Sequence, residues 1–174
     1  MATWTIDTAH SEIGFKVKHL VISTVSGKFN AFEGKLEGEP DDLTNAKISF
    51  SADIESIHTG NEQRDGHLKS GDFFDAAAHP KLTFQSTSIE KKGDDYKVAG
   101  DLTLKGVTKP VTLNVEFGGV QKSLYGQTVA GFEVTGKINR QDFGLTWSAV
   151  TEAGGVVVGD EVKLAANLEV IKQD

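Results

Sequence analysis

Apolar and polar residues alternate with a period of two along most of this chain. Ile13, Phe15, Val17 and His19 share one parity, and Lys16 and Lys18 take the other. That is the pattern of a half-buried strand. Val25 to Glu37 reads as a long second strand. Phe32, Gly34 and Leu36 agree in parity while Phe29 does not, so a bulge between the two phenylalanines is expected to return both rings to one side. The cleanest alternation runs from Ala46 to Ile57, with Ala46, Ile48, Phe50, Ala52 and Ile54 inward. Further inward sets follow. They are Leu82 and Phe84; Tyr96, Val98, Gly100, Leu102 and Leu104; Val111, Leu113, Val115 and Phe117; Ala130, Phe132, Val134, Gly136 and Ile138; and Val162 to Val170. Gly106 to Pro110 is expected to turn or bend the chain, and Gly118-Gly119 to end a strand.

The count is about eight strands, mostly joined by short loops. The predicted fold class is all-β: an antiparallel barrel of about eight strands with one short helical lid segment, over a single domain, 1–174. A two-layer sandwich is the rival. Closure removes exposed edges, and about eight strands can enclose one small ligand.

One stretch breaks the alternation. Arg64 to Ser86 opens with charged, turn-like residues, carries Phe73-Phe74 and passes through His79-Pro80 into the next strand. Thr59-Gly-Asn-Glu62 matches a capping box ahead of it. Gly66 weakens the helix and Gly71 ends it. So short and polar a helix needs anchoring, and Leu68, Phe73 and Phe74 are the groups available.

Composition narrows the function classes. The formal net charge is −7, which opposes nonspecific binding to nucleic acid or to an anionic membrane. There is no cysteine, hence no disulfide. No apolar run approaches the ~20 residues of a membrane span. The first ten residues have neither a basic nor an apolar leader region, so the expected location is the cytoplasm, or the periplasm if a leader has been removed. His10, His19, His58, His67 and His79 form no short metal-ligand spacing, and no metal is expected. Asp7, His10 and Ser11 lack a nucleophile elbow; Asp7 and Ser11 are expected to fix a turn instead. Arg64, Asp65, Asp72, Asp75, Arg140 and Asp142 are read as ion pairs that pin the lid and the late loop. Lys16 and Lys18 are read as solvated surface, with steering of an acidic headgroup as the weaker alternative. No catalytic residue is assigned.

Four stretches together carry a resemblance. They are WTIDTAHSEIGFKVKHL (Trp4 to Leu20), RDGHLKSGDFFD with HPKLTFQS (Arg64 to Ser86), GDLTLKGVTKPVTL (Gly100 to Leu113) and RQDFGLTW (Arg140 to Trp147). In this order they resemble the YceI-like family of lipid- and polyisoprenoid-binding proteins. The resemblance implies an elongated, lipocalin-like antiparallel barrel, covered in part by a helix, that holds a long apolar tail in its bore. It implies non-catalytic binding of a polyisoprenoid, isoprenoid quinone or fatty amide, for transport or storage. No cofactor is implied beyond such a lipid. Ligand contacts are then expected from Phe15, Val17, His19, Phe32, Phe50, Ile54, Leu68, Phe73, Phe74, Phe84, Leu102, Leu104, Phe132, Val134 and Trp147. Periodicity alone favours a bore filled by these side chains; the resemblance favours a hollow one. For His19 a satisfied structural role is favoured over a headgroup contact. An enzyme acting on a lipid headgroup, with His19 near Arg140 or Asp142, and a ligand-free stress-response scaffold are the alternatives. A homodimer is left open.

Overall fold

The alternating stretches fold as antiparallel strands of one sheet, and the computed structural model describes residues 2–19, 22–145 and 158–173. In chain order the strands are β1 (Thr3–Ile6), β2 (Glu12–His19), β3 (Ser23–Phe29), β4 (Phe32–Glu39), β5 (Asp42–Asp53), β6 (Ile57–His58), β7 (Lys81–Lys92), β8 (Asp95–Leu104), β9 (Val107–Lys122), β10 (Thr128–Asn139) and β11 (Val158–Lys172). One helix, α1 (Glu62–Lys69), lies between β6 and β7.

The ring runs β1-β4-β5-β7-β8-β9-β10-β11, and β11 pairs back with β1. This is a closed eight-stranded antiparallel barrel, as expected, and not a sandwich. The remaining strands extend three of the ring members. β1 continues into β2 through a 3-10 turn at Thr8–His10, and β5 into β6 through another at Ile54–Ser56. The β3–β4 ribbon breaks at Asn30-Ala31, where the bulge was expected. These two breaks are stitched together, since Asn30 N–H donates to Ser56 O at 3.1 Å and Asp53 N–H to Ala31 O at 2.9 Å. β11 therefore pairs with β1 near its C-terminus and with β2 over the rest.

β3 and β6 share only two register pairs, Lys28–His58 and Phe29–Ile57. From Thr24 to Gly27 no strand covers the outer edge of β3 among the described residues. Among these residues the wall is interrupted there, and α1 follows directly on β6.

Three expectations change. Thr59 is not the helix cap: Asn61 is, its side chain accepting from Arg64 N–H at 3.0 Å. Thr59 instead donates its N–H and hydroxyl to Asp65 inside the helix. Pro110 does not bend the chain away but lies in β9 opposite Asp101. Pairing of β9 with β10 stops at Asn114, so the missing proline N–H falls where β9 is bonded on one side only. Finally, Gly118 does not end β9. The register slips by one residue beside Gly131, and β9 runs on to Lys122.

Candidate ligand cavity

The inward set does not fill the barrel. A cavity of about 620 Å³ lies inside it, lined almost wholly by apolar side chains from every long strand and from α1. That volume falls in the usual range for small-molecule sites, roughly 300–1,000 Å³.

Among the described residues the cavity has a closed end and an open end. The β4–β5, β7–β8 and β9–β10 turns sit at the closed end. Trp4, Leu36, Leu43, Tyr96, Ala130 and Val170 are all buried there. Tyr96 Oη donates to Asp41 O at 3.1 Å, tying the β4–β5 turn across that end. At the other end the wall residues Phe15, Val17, Val25, Ile138, Val158 and Val162 remain only half-buried.

Polar groups gather at the open end. Asn61, Gln63, Arg64, His67 and Arg140 line the cavity there, while Lys18, Lys35 and Ser49 border it from outward-facing positions of their strands. Among the described residues, no aspartate or glutamate lines it. For a chain of net charge −7 that is a marked segregation.

Each rim group has a physical reason for its position. Arg140 is buried, 3 % exposed, in the 3-10 turn Arg140–Phe143. Its guanidinium donates to three carbonyls: Gly159 O at 2.9 Å, Leu145 O at 2.5 Å and Val158 O at 3.3 Å. Burial pulls its pKa below the ordinary value, and Asp160 at 3.5 Å opposes that. Arg64 is held by Thr59, its Nε donating to Oγ1 at 2.8 Å and a terminal nitrogen to the carbonyl at 2.7 Å. His67 pairs with Asp72 at 2.9 Å and stands edge-on to Phe73 with ring centres 5.0 Å apart.

Eleven of the expected ligand contacts line the cavity: Phe15, Val17, Phe50, Leu68, Phe73, Phe74, Phe84, Leu102, Leu104, Phe132 and Val134. Phe32 and Ile54 do not. Phe32 packs on Phe50 at 6.3 Å, and Ile54 is buried in the turn that joins β5 to β6. The side chain of His19, and Trp147 altogether, lie outside the described residues. Phe29, Leu113, Ile138, Leu145 and Leu164 also line the wall. Leu113, Ile138 and Leu164 were visible as inward positions. Phe29 was hidden by the break at Asn30-Ala31, and Leu145 by the turn before it.

The ion pairs expected at the lid are partly present. His67–Asp72 and Lys69–Glu55 join its elements, while Arg64 and Asp65 are each satisfied through Thr59. Asp7 and Ser11 do fix the turn: Asp7 accepts from Ala9 N–H at 3.0 Å, and Glu169 N–H donates to Ser11 Oγ at 2.9 Å. Sequence spacing hid one cluster. Ligand-type atoms of Asp7, His10 and Glu169 lie within 4.8 Å of one another. His10 Nδ1 is already bonded to Asp7 at 2.7 Å, and none of the three lines the cavity.

Comparison with known proteins agrees with this geometry. The YceI-like domain profile matches residues 4–170. The chain is 43% identical over 170 residues to the UPF0312 protein SA2479 of Staphylococcus aureus strain N315, covering 97% of each chain. It is 35% identical to the YCEI protein of Campylobacter jejuni, with a TM-score of 0.76 over 97% of this chain and 96% of that one. Burkholderia cenocepacia BcnA shares the fold at 24% identity, with a TM-score of 0.82 over 94% and 98% of the two chains. So does a domain of Saccharophagus degradans described as polyisoprenoid-binding, at 18% identity and a TM-score of 0.69 over 98% of each. The chain belongs to the YceI-like family.

Proposed function

Taking that membership as the premise, we propose that this chain binds a long-tailed amphiphile, an isoprenoid foremost, without chemical conversion. The tail lies in the bore and the head at the open end, and the complex serves transport or storage. One observation carries the reading: an apolar hollow closed at one end and rimmed with polar groups at the other. The description of the Saccharophagus degradans domain supports the choice of an isoprenoid.

Magnitudes assign the work between tail and head. Each buried methylene contributes about 0.8 kcal/mol, so ten contribute about 8 kcal/mol. A hydrogen bond to the head adds only about 1 kcal/mol net. Micromolar affinity needs about 8 kcal/mol after the losses of association. The tail therefore sets affinity, and the rim chooses among heads. Arg64 lines the cavity without a carboxylate partner among the described residues. It favours an anionic or strongly accepting head.

Native mass spectrometry of freshly purified protein, with organic extraction of the same sample, tests the proposal. A bound lipid of long alkyl or isoprenyl tail is expected, displaceable by a purified isoprenoid quinone. Protein that carries none, and takes up neither a quinone nor a fatty amide, would remove the reading.

A further inference from the structure

The outer wall of the barrel carries a pattern unrelated to packing. Lys137 on β10 is the register partner of Lys163 on β11, and Lys163 is the partner of Lys16 on β2. Three ammonium groups thus stand side by side on adjacent strands, all exposed. Lys18 and Lys28, also exposed, flank the row on β2 and β3. Lys137 has Glu161 at 3.6 Å, and Lys18 Nζ donates to Thr24 Oγ1 at 3.2 Å. Lys16, Lys18, Lys28 and Lys163 make no ion pair among the described residues.

Like charges placed directly opposite one another destabilise a sheet. This chain has 25 acidic and 18 basic residues, so opposite charges are plentiful. On this wall Glu161 stands beside Lys137 at the mouth side of the row. The other carboxylates of these three strands' central part lie further down. Four residues toward the closed end, Glu133, Asn167 and Glu12 are register partners on the same three strands. Between the two rows stand only Thr135, Ala165 and Gly14, which leave the lysines unobstructed. Basic charge therefore outweighs acidic charge on the half of the wall that adjoins the cavity mouth. Beyond it the β2–β3 connection carries Ile22, 87 % exposed.

We infer that this wall, formed by β10, β11, β2 and β3 at the open end, docks on an anionic lipid surface. The lysines meet the headgroups, and Ile22 enters the headgroup layer. Position and chemistry favour a bilayer over an acidic protein. Among the described residues the surface adjoins an apolar cavity mouth lined by no carboxylate, and Ile22 beside it is an exposed aliphatic side chain. A net charge of −7 does not prevent this, because at physiological salt charges beyond about 8 Å are largely screened and the nearest surface decides. The inference does not rest on the proposed ligand, since an empty barrel would dock in the same way.

Vesicle flotation of the whole protein tests it, with phosphatidylcholine alone and with phosphatidylcholine containing phosphatidylglycerol. Binding is expected only to the anionic vesicles, and it is expected to fall steeply as salt rises. The triple variant Lys16→Gln, Lys137→Gln, Lys163→Gln should bind about a hundredfold more weakly, from roughly fivefold per lysine. Its melting temperature should equal or exceed that of the parent, because the repulsion is relieved. Ile22→Ser should weaken binding roughly tenfold. A matched triple at the closed end, Lys47→Gln, Lys91→Gln, Lys122→Gln, should stay within about twofold of the parent. Equal losses in the two triples, or no binding of the parent to anionic vesicles at low salt, overturn the inference. So does retention on immobilised polyglutamate without binding to vesicles.

Discussion

Asp65, buried inside α1, accepts both the N–H and the hydroxyl of Thr59 on one carboxylate oxygen, the N–H at 2.9 Å. Thr59 in turn accepts from Arg64 through its hydroxyl and its carbonyl. A three-residue knot thus holds the start of α1 against the end of β6. Asp65→Ala leaves the Thr59 N–H half-buried without its partner. It should cost about 1–3 kcal/mol in urea unfolding. A loss below about 0.5 kcal/mol, the scale of an ordinary surface change, would show that the knot does not hold the lid.

Gly66 lies in the middle of α1, exposed, with open space where a Cβ would stand. Gly66→Ala should stabilise the helix by about 0.5–1 kcal/mol. If α1 moves when a lipid enters beside β3, the same change slows exchange of a fluorescent fatty amide. Stopped-flow exchange and thermal melting read the two effects separately. Greater stability with unchanged exchange would mean that lipid passes without disturbing the helix.

Val134 lines the cavity halfway along β10 and is half-buried. Val134→Trp places a ring in space that is empty of protein, so the usual overpacking penalty of about 1–3 kcal/mol should be largely absent. Lipid recovered by extraction should fall at least tenfold while the unfolding midpoint stays close to that of the parent. Even a methyl group added in a packed region behaves differently. A Cβ at Gly100 would stand 2.6 Å from Gln85 O and 2.5 Å from the Phe84 ring. Gly100→Ala should therefore cost about 1–3 kcal/mol, and the contrast between the two variants measures the hollow directly.

The Asp7–His10 pair at 2.7 Å gives the fold a pH dependence. The hydrogen bond that His10 Nδ1–H donates to Asp7 raises the His10 pKa above its usual 6.5, and the same bond lowers that of Asp7 below its usual 3.8. The raised histidine contributes stability that is complete below 6.5 and is lost as pH rises through its folded-state pKa. The lowered aspartate contributes stability present above 3.8 and lost as pH falls through its own. Their joint contribution is greatest between those limits. It is small, because His10 is exposed. NMR titration of the His10 ring should give a pKa above 6.5, which Asp7→Asn returns toward the usual value. A ring that titrates at 6.5 or lower in the parent would show the bond absent in solution.

Much of the barrel is written in residues whose role is local. Ile48, Phe50 and Ala52 alternate because a strand with one wet face must, and register follows from that parity. Eight of the eleven expected residues that line the cavity follow from the same parity, and Leu68, Phe73 and Phe74 follow from the need to anchor a short polar helix. What stayed hidden depends on residues far apart in the chain. That Trp4 seals one end follows only once β1 has paired with both β4 and β11. Arg140 was read as an ion-pair partner, and Asp160 is one, but its burial among the carbonyls of Leu145 and, across a long connection, of Val158 and Gly159 was not legible. Thr59 matched a capping box, but Asn61 competes for the same role two residues on, and Asp65 claims the threonine instead. The vacancy itself is invisible to periodicity, because filled and hollow barrels share one alternation.

The opposed rows Lys16–Lys163–Lys137 and Glu12–Asn167–Glu133 also act before any contact is made. Separated charge on a rigid wall gives that wall an electric moment along the strands. In the field of an anionic surface, such a moment exerts a torque that swings the open mouth forward and the sealed end away. Orientation during diffusion, and not only adhesion on arrival, is thereby encoded in which four-residue step each strand spends on lysine and which on glutamate.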